Sequence, residues 1–229
     1  MPAAYSDDVL LSALDHAHGD ERVLLVGALG DAHGDSGPKA LRHLAARERG
    51  EGGYVRAAAI GALARRTGAG ATPTYLHGLR DKSVPVQLAA ADALAEHGDE
   101  SATTELTAWL RRKLRRKARL ANWDPNELRS VLRFADRNGA LRTVAAILSE
   151  NRDRLHPDER EWLMEVWPAL ATSSAAPEND IAPLDRQVLG QPMIADHRNE
   201  PDPEEEEMGD EYVRQALARA QRRARGTRR

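Results

Sequence analysis

A short pattern recurs in this chain about every thirty residues, and no other feature restricts the possible folds so tightly. Around Arg56 it reads Tyr-Val-Arg-Ala-Ala-Ala-Ile-Gly-Ala-Leu-Ala (54–64), and around Gln87 Pro-Val-Gln-Leu-Ala-Ala-Ala-Asp-Ala-Leu-Ala (85–95). A weaker copy, Asp-Glu-Arg-Val-Leu-Leu-Val-Gly-Ala-Leu-Gly, occupies 20–30. Aligning Ala28, Ala62 and Ala93 gives offsets of 34 and 31 residues. Columns then agree in chemistry: Glu21 with Val55 and Val86, Arg22 with Arg56 and Gln87, Leu29 with Leu63 and Leu94. A fixed period of this size implies stacked helix pairs, each unable to bury its apolar face alone.

A second, weaker block accompanies each copy. Pro38, Pro73 and Thr103 align, as do Leu41, Leu76 and Leu106, and Leu44, Leu79 and Trp109. Within each block the apolar residues recur at three and four, the signature of an amphipathic helix. Pro38 and Pro73 suit the first turn of a helix, where no backbone N–H is needed. Helices are expected near 6–18, 20–31, 37–48, 54–67, 72–80, 85–97 and 101–121. Three more follow, opening at Asp124-Pro125, Leu141 and His156-Pro157-Asp158-Glu159. Trp109, Trp162 and Trp167 fall on apolar stripes, which suits a core, and Trp123 sits at a helix junction.

The pattern resembles the HEAT repeat family, in particular its bacterial short-repeat, PBS-lyase-like branch. Asp81…Val86-Gln87…Ala90…Ala93-Leu94 carries the family's Asp, Val-Arg and spaced Ala and Leu, with Gln in place of Arg. Val55-Arg56…Ala59…Ala62-Leu63 carries the second half, but its turn (48–53) has Glu and Gly where Asp is expected. The resemblance is good over about residues 20–110. It implies an all-α, HEAT-like solenoid of about five helix pairs over 6–171 and a role in binding protein. It also places the second helix of each pair on an inner surface, with Gly27, Gly61 and Asp92 inward and then Asp31, Arg65, Arg66 and Glu96. That surface is mixed in sign and poor in aromatics, which fits a protein or peptide better than a duplex.

Composition narrows the chemistry. The chain lacks cysteine, which excludes disulfides, thiolate metal sites and cysteine nucleophiles. No His-Glu-x-x-His, phosphate loop or Gly-x-Ser-x-Gly is present, and the histidines are scattered. No catalytic, cofactor or metal residue is therefore assigned, and a non-enzymatic protein is expected. No apolar run approaches the ~20 residues of a membrane span. The first residues, Met-Pro-Ala-Ala-Tyr-Ser-Asp-Asp, carry no secretory core, so a cytoplasmic location is expected.

The formal net charge is −3, but it averages over segregated blocks. Arg111, Arg112, Lys113, Arg115, Arg116, Lys117 and Arg119 put seven positive charges in nine residues. Leu106, Leu110, Leu114 and Ala118 recur at four and hold one side of this helix to the body, so the cations are expected to fan over the rest. They suit a phosphate backbone, an acidic protein segment or anionic lipid, and equally a solvated face. Residues 172–208 are rich in Ser, Pro, Asp and Glu and read as a disordered acidic linker. Ile181, Leu184, Val188, Leu189, Met193 and Ile194 are the exception and could form a docking segment. Residues 209–229 read as a basic amphipathic helix with an apolar stripe of Val213, Ala216, Leu217, Ala220 and Ala224. Its Arg214, Arg222 and Arg223 are binding candidates. The acidic run Glu204–Glu207 could cover Arg111–Arg119.

Two functions of different class follow. The first is a scaffold or adaptor that binds protein through the solenoid. The alternative is nucleic-acid binding through Arg111–Arg119 and the C-terminal helix. HEAT-like alkylpurine DNA glycosylases keep an enzymatic variant in view, although their aromatic and carboxylate lesion site has no counterpart here. A bilin-lyase-like or chaperone role shares the short repeat, with no residue marking a tetrapyrrole site.

Overall fold

The fold is described from a computed structural model covering residues 5–46, 51–115, 126–168, 170, 184–190 and 203–226. Every element among these residues is helical, apart from an isolated bridge between Ser6 and His33. The repeat resolves into consecutive helices: α1 (Asp7–Leu14) and α2 (Gly19–Ala28), α3 (Gly37–Ala45) and α4 (Gly53–Thr67), and α5 (Thr72–Gly78) and α6 (Val84–His97). Then come α7 (Thr103–Arg115) and α8 (Asn126–Arg137), and α9 (Leu141–Glu150) and α10 (Pro157–Val166). A short α11 (Arg186–Gly190) and a long α12 (Pro203–Gly226) complete the chain. The chain forms two compact units, residues 1–93 with 197–229 and residues 94–196.

The expected helices are present, with ends that shift for local reasons. Expected to reach His18, α1 stops at Leu14, because the chain turns through Ala17, which is buried, into Gly19 at a φ of 55°. Such a φ is favourable only without a Cβ. His156 caps α10, and Glu159 returns a bond to the His156 N–H at 2.9 Å, a reciprocal capping box.

In the first unit the core is the aligned apolar columns. Leu25, Leu29, Leu41, Ile60, Leu63 and Leu79 are at most 2% exposed. Each such side chain contributes about 1.5–3 kcal/mol on burial. Small residues set the helix spacing: a Cβ on Gly78 would stand 2.8 Å from the Ala90 methyl and 2.9 Å from Ile60. The second unit is built on Trp109, Phe134, Ile147, Leu148, Val166 and Trp167, all at most 1% exposed. Three of the four tryptophans are thus core, as expected, and Trp123 lies outside the described residues.

Leu184 and Leu189, within the expected linker, are buried, so this stretch is docked rather than loose. Asp185 N–H donates to Val166 O at 2.9 Å, and the Asp185 carboxylate caps α11 through the N–H groups of Gln187 and Val188. Arg186 makes a two-pronged bond to Asp136 at 2.8 and 3.1 Å, and Arg129 closes the other end on Leu189 O and Gly190 O. Ile181, Met193 and Ile194 lie outside the described residues.

Candidate functional site

The repeat places its polar residues in a ladder before it leaves any for a ligand. Arg22 on α2 pairs with Glu51, and Arg56 on α4 pairs with Asp81 at 2.9 and 3.2 Å. Each arginine thus reaches the carboxylate in the turn of the next pair. Glu51 does the work of the Asp that the pattern lacks in that turn. Asp81 also accepts from the Ser83 N–H at 2.8 Å, which fixes the corner. At the third copy Gln87 replaces the arginine, and its amide turns back onto Asp81 O.

A second ion pair draws the first two helix pairs together. Arg66 donates to both carboxylate oxygens of Asp7, at 2.6 and 2.9 Å, and to Leu29 O at 2.8 Å. The two side chains are 11% and 2% exposed. Burial pushes the Asp7 carboxyl up, but the bonds from Arg66 and from the Gly37 N–H outweigh it and hold the group below its ordinary range. Gly34, at a φ of 133°, lies against this carboxylate, where a Cβ would sit 2.7 Å from Asp7 Oδ2. Arg66, expected on an inner binding surface, is therefore a structural residue. Its neighbour Arg65 is exposed, pairing with Asp31 at 3.2 Å and donating to Gly27 O at 2.9 Å.

Asp92 and Glu96 are exposed on α6. Glu96 has Arg133 at 3.8 Å and His97 at 3.7 Å. Arg137 caps the end of the same helix by donating to the carbonyls of Leu94, Glu96 and Gly98. Sequence reasoning did not single out this cap, since Arg137 is 41 residues from Glu96.

The basic helix needs one correction. Arg111, Arg112 and Arg115 are exposed on α7 as expected, but Lys113 is buried. Its ammonium pairs with Glu127 of α8 and lies 5.4 Å from the Trp109 ring centre. The apolar stripe takes in Lys113 because Trp109 and Leu110 precede it by four and three residues on the same face. Arg116, Lys117 and Arg119 lie outside the described residues. So do the side chains of Glu204–Glu207, which leaves their suggested contact with the basic helix outside the description.

The C-terminal helix is packed, with Ala216 and Ala220 buried and Arg219 and Arg223 turned to Glu21 of α2. Arg223 is thus engaged within the chain, whereas Arg214 and Arg222 are exposed. Arg214 stands 3.4 Å from Glu211 of its own helix.

The apolar surface is unevenly distributed. Tyr54 and Val84, 72% and 42% exposed, lie in the first turns of α4 and α6. These turns adjoin, because a Cβ on Gly53 would meet Ser83 Oγ at 2.2 Å. In the second unit a cleft of about 420 Å³ is lined by Leu148, Leu155, Leu163, Met164 and Leu170, with Arg152 and Arg160 beside them. Among the described residues no group of three or more His, Asp or Glu side chains is placed to hold a metal ion. None of the described helices is long and apolar enough to cross a membrane.

Residues 43–122 match the family model of HEAT repeats, so this span carries HEAT repeats. No curated protein and no solved structure matches the chain.

Proposed function

We propose that the protein is a non-enzymatic HEAT-repeat adaptor that binds a partner protein through the second helices of its first unit. One observation carries this reading. Tyr54 and Val84 stand exposed on adjoining first turns of α4 and α6, while the neighbouring polar side chains Arg22, Glu51, Arg56 and Asp81 are tied into the ladder. Exposed aromatic and aliphatic side chains beside a rigid frame are what a protein interface needs at its centre. Arg65 and Asp92, exposed on the same two helices, supply charges that select a partner by register.

The test is affinity capture from the native extract after nuclease treatment, comparing the parent chain with a Tyr54→Ala, Val84→Ser chain. Both positions are on the surface, so the double variant keeps its melting temperature to within a few degrees. The expected result is loss of one stoichiometric protein partner. Retention of the same partner at full yield would overturn the reading.

Nucleic-acid binding is the second reading, favoured by the exposed Arg111, Arg112 and Arg115 of α7. It differs in its salt dependence. Three phosphate contacts give a slope of roughly −2 to −3 in log affinity against log salt. Partners that vanish with nuclease would favour it over the adaptor.

A further inference from the structure

The last helix of the chain lies on its first pair. In α12, Ala216 and Ala220 are 4% and 0% exposed and face α1 and α2. Arg219 and Arg223, one turn apart, both reach the carboxylate of Glu21, the first at 3.7 Å. Arg223 Nε also donates to His16 O at 2.8 Å, just past the end of α1. The end pair of a solenoid has a face with no neighbouring repeat, and such a face needs a cover. Here the C-terminal helix supplies it.

The repeat columns set this face apart from the later copies. Where the later copies bury Val55 and Val86, the first copy has Glu21. Where they have Ala58 and Ala89, it has Leu24, which is 37% exposed. The seat is flanked by an open groove. A gap of about 550 Å³ lies between α2 and α12 beside Ala216, bordered by Leu24 and by Tyr212, itself 56% exposed. Alanine contacts bury little apolar area, and exposed ion pairs add little to it. Being part of the same chain helps hold the helix in place beside these contacts.

We propose that the α1–α2 face is a helix-acceptor site for a partner protein, and that α12 is the chain's own competitor for it. The partner class is an amphipathic helix with two arginines four residues apart and a leucine-sized residue where α12 has Ala216. The larger side chain reaches into the gap beside Leu24, and the arginines take over Glu21. This rests on the protein-binding reading above and assigns it a second surface and a means of control.

The probe is a fluorescently labelled peptide of residues 209–229 carrying Ala216→Leu, titrated into the full chain. In an Arg219→Ala, Arg223→Ala chain the resident helix loses its ion pairs, so the peptide should bind on the order of tenfold tighter than to the parent chain. Adding Glu21→Arg to that chain should abolish binding, and Glu21→Gln, which keeps the shape, should weaken it. The unmodified peptide should bind less tightly than the Ala216→Leu peptide. Equal affinity for the parent and the released chain, or affinity indifferent to Glu21, overturns the proposal. Tyr54 and Val84 belong to α4 and α6, outside this seat, so the capture test and the peptide test fail separately.

Discussion

Asp7 shows how much one carboxylate can hold. It lies in the first turn of α1, where its charge also suits the positive end of the helix dipole. Its main work is tertiary, since Arg66 of α4 and the N–H of Gly37 both converge on it. Because its pKa is lowered on folding, the stability it contributes is present above the ordinary aspartate value of about 4 and is lost as pH falls through the lower folded value. Asp7→Asn leaves the Arg66 guanidinium, 11% exposed, without its counter-charge. The expected cost is about 3 kcal/mol near neutral pH. Urea titrations at pH 7 and pH 3 check this: the gap between variant and parent should narrow on acidification, and a constant gap would contradict the assignment. The sequence marked Asp7 and Arg66 as polar and helical but could not pair them, because 59 residues separate them and neither belongs to a recognisable motif.

At the scale of elements, periodicity located the helices and also assigned their faces, with one instructive lapse on α7. Seven cations in nine residues suggested a continuous basic surface, yet Lys113 points inward to Glu127. Charge density is a local count, whereas direction around the helix follows the apolar stripe that Trp109 and Leu110 extend to Lys113, and α8 supplies the counter-charge. Lys113→Ala should therefore destabilise the second unit by about 3 kcal/mol, by leaving Glu127 buried without its cation. Alanine at Arg111, Arg112 and Arg115 should leave stability within about 0.5 kcal/mol per site. Thermal unfolding of both variants separates the two roles, and equal losses would refute the inward placement. The same lesson applies to α11, where Leu184 and Leu189 hinted at docking but the anchors, Asp136 and Arg129, lie on α8.

For the whole molecule, the aromatic residues are distributed in a way that makes the two units separately visible. Trp109, Trp123, Trp162 and Trp167 all fall within 94–196, whereas Tyr5, Tyr54, Tyr75 and Tyr212 all fall within 1–93 and 197–229. Tryptophan emission thus reports the second unit alone. Asp7→Asn should shift the denaturation midpoint seen by far-ultraviolet circular dichroism and move the tryptophan midpoint less. Identical shifts by both probes would show a single cooperative transition. The sequence by itself determined the all-α repeat architecture, the helix positions and most of the core, because periodic burial of apolar side chains is written at spacings of three, four and about thirty residues. Tertiary structure alone decided which charges remain at the surface and where the C-terminal helix goes. Glu21 and Arg223, Asp7 and Arg66, and Lys113 and Glu127 are pairs made by folding, and the desolvation that makes each pair matter exists only once the helices have packed.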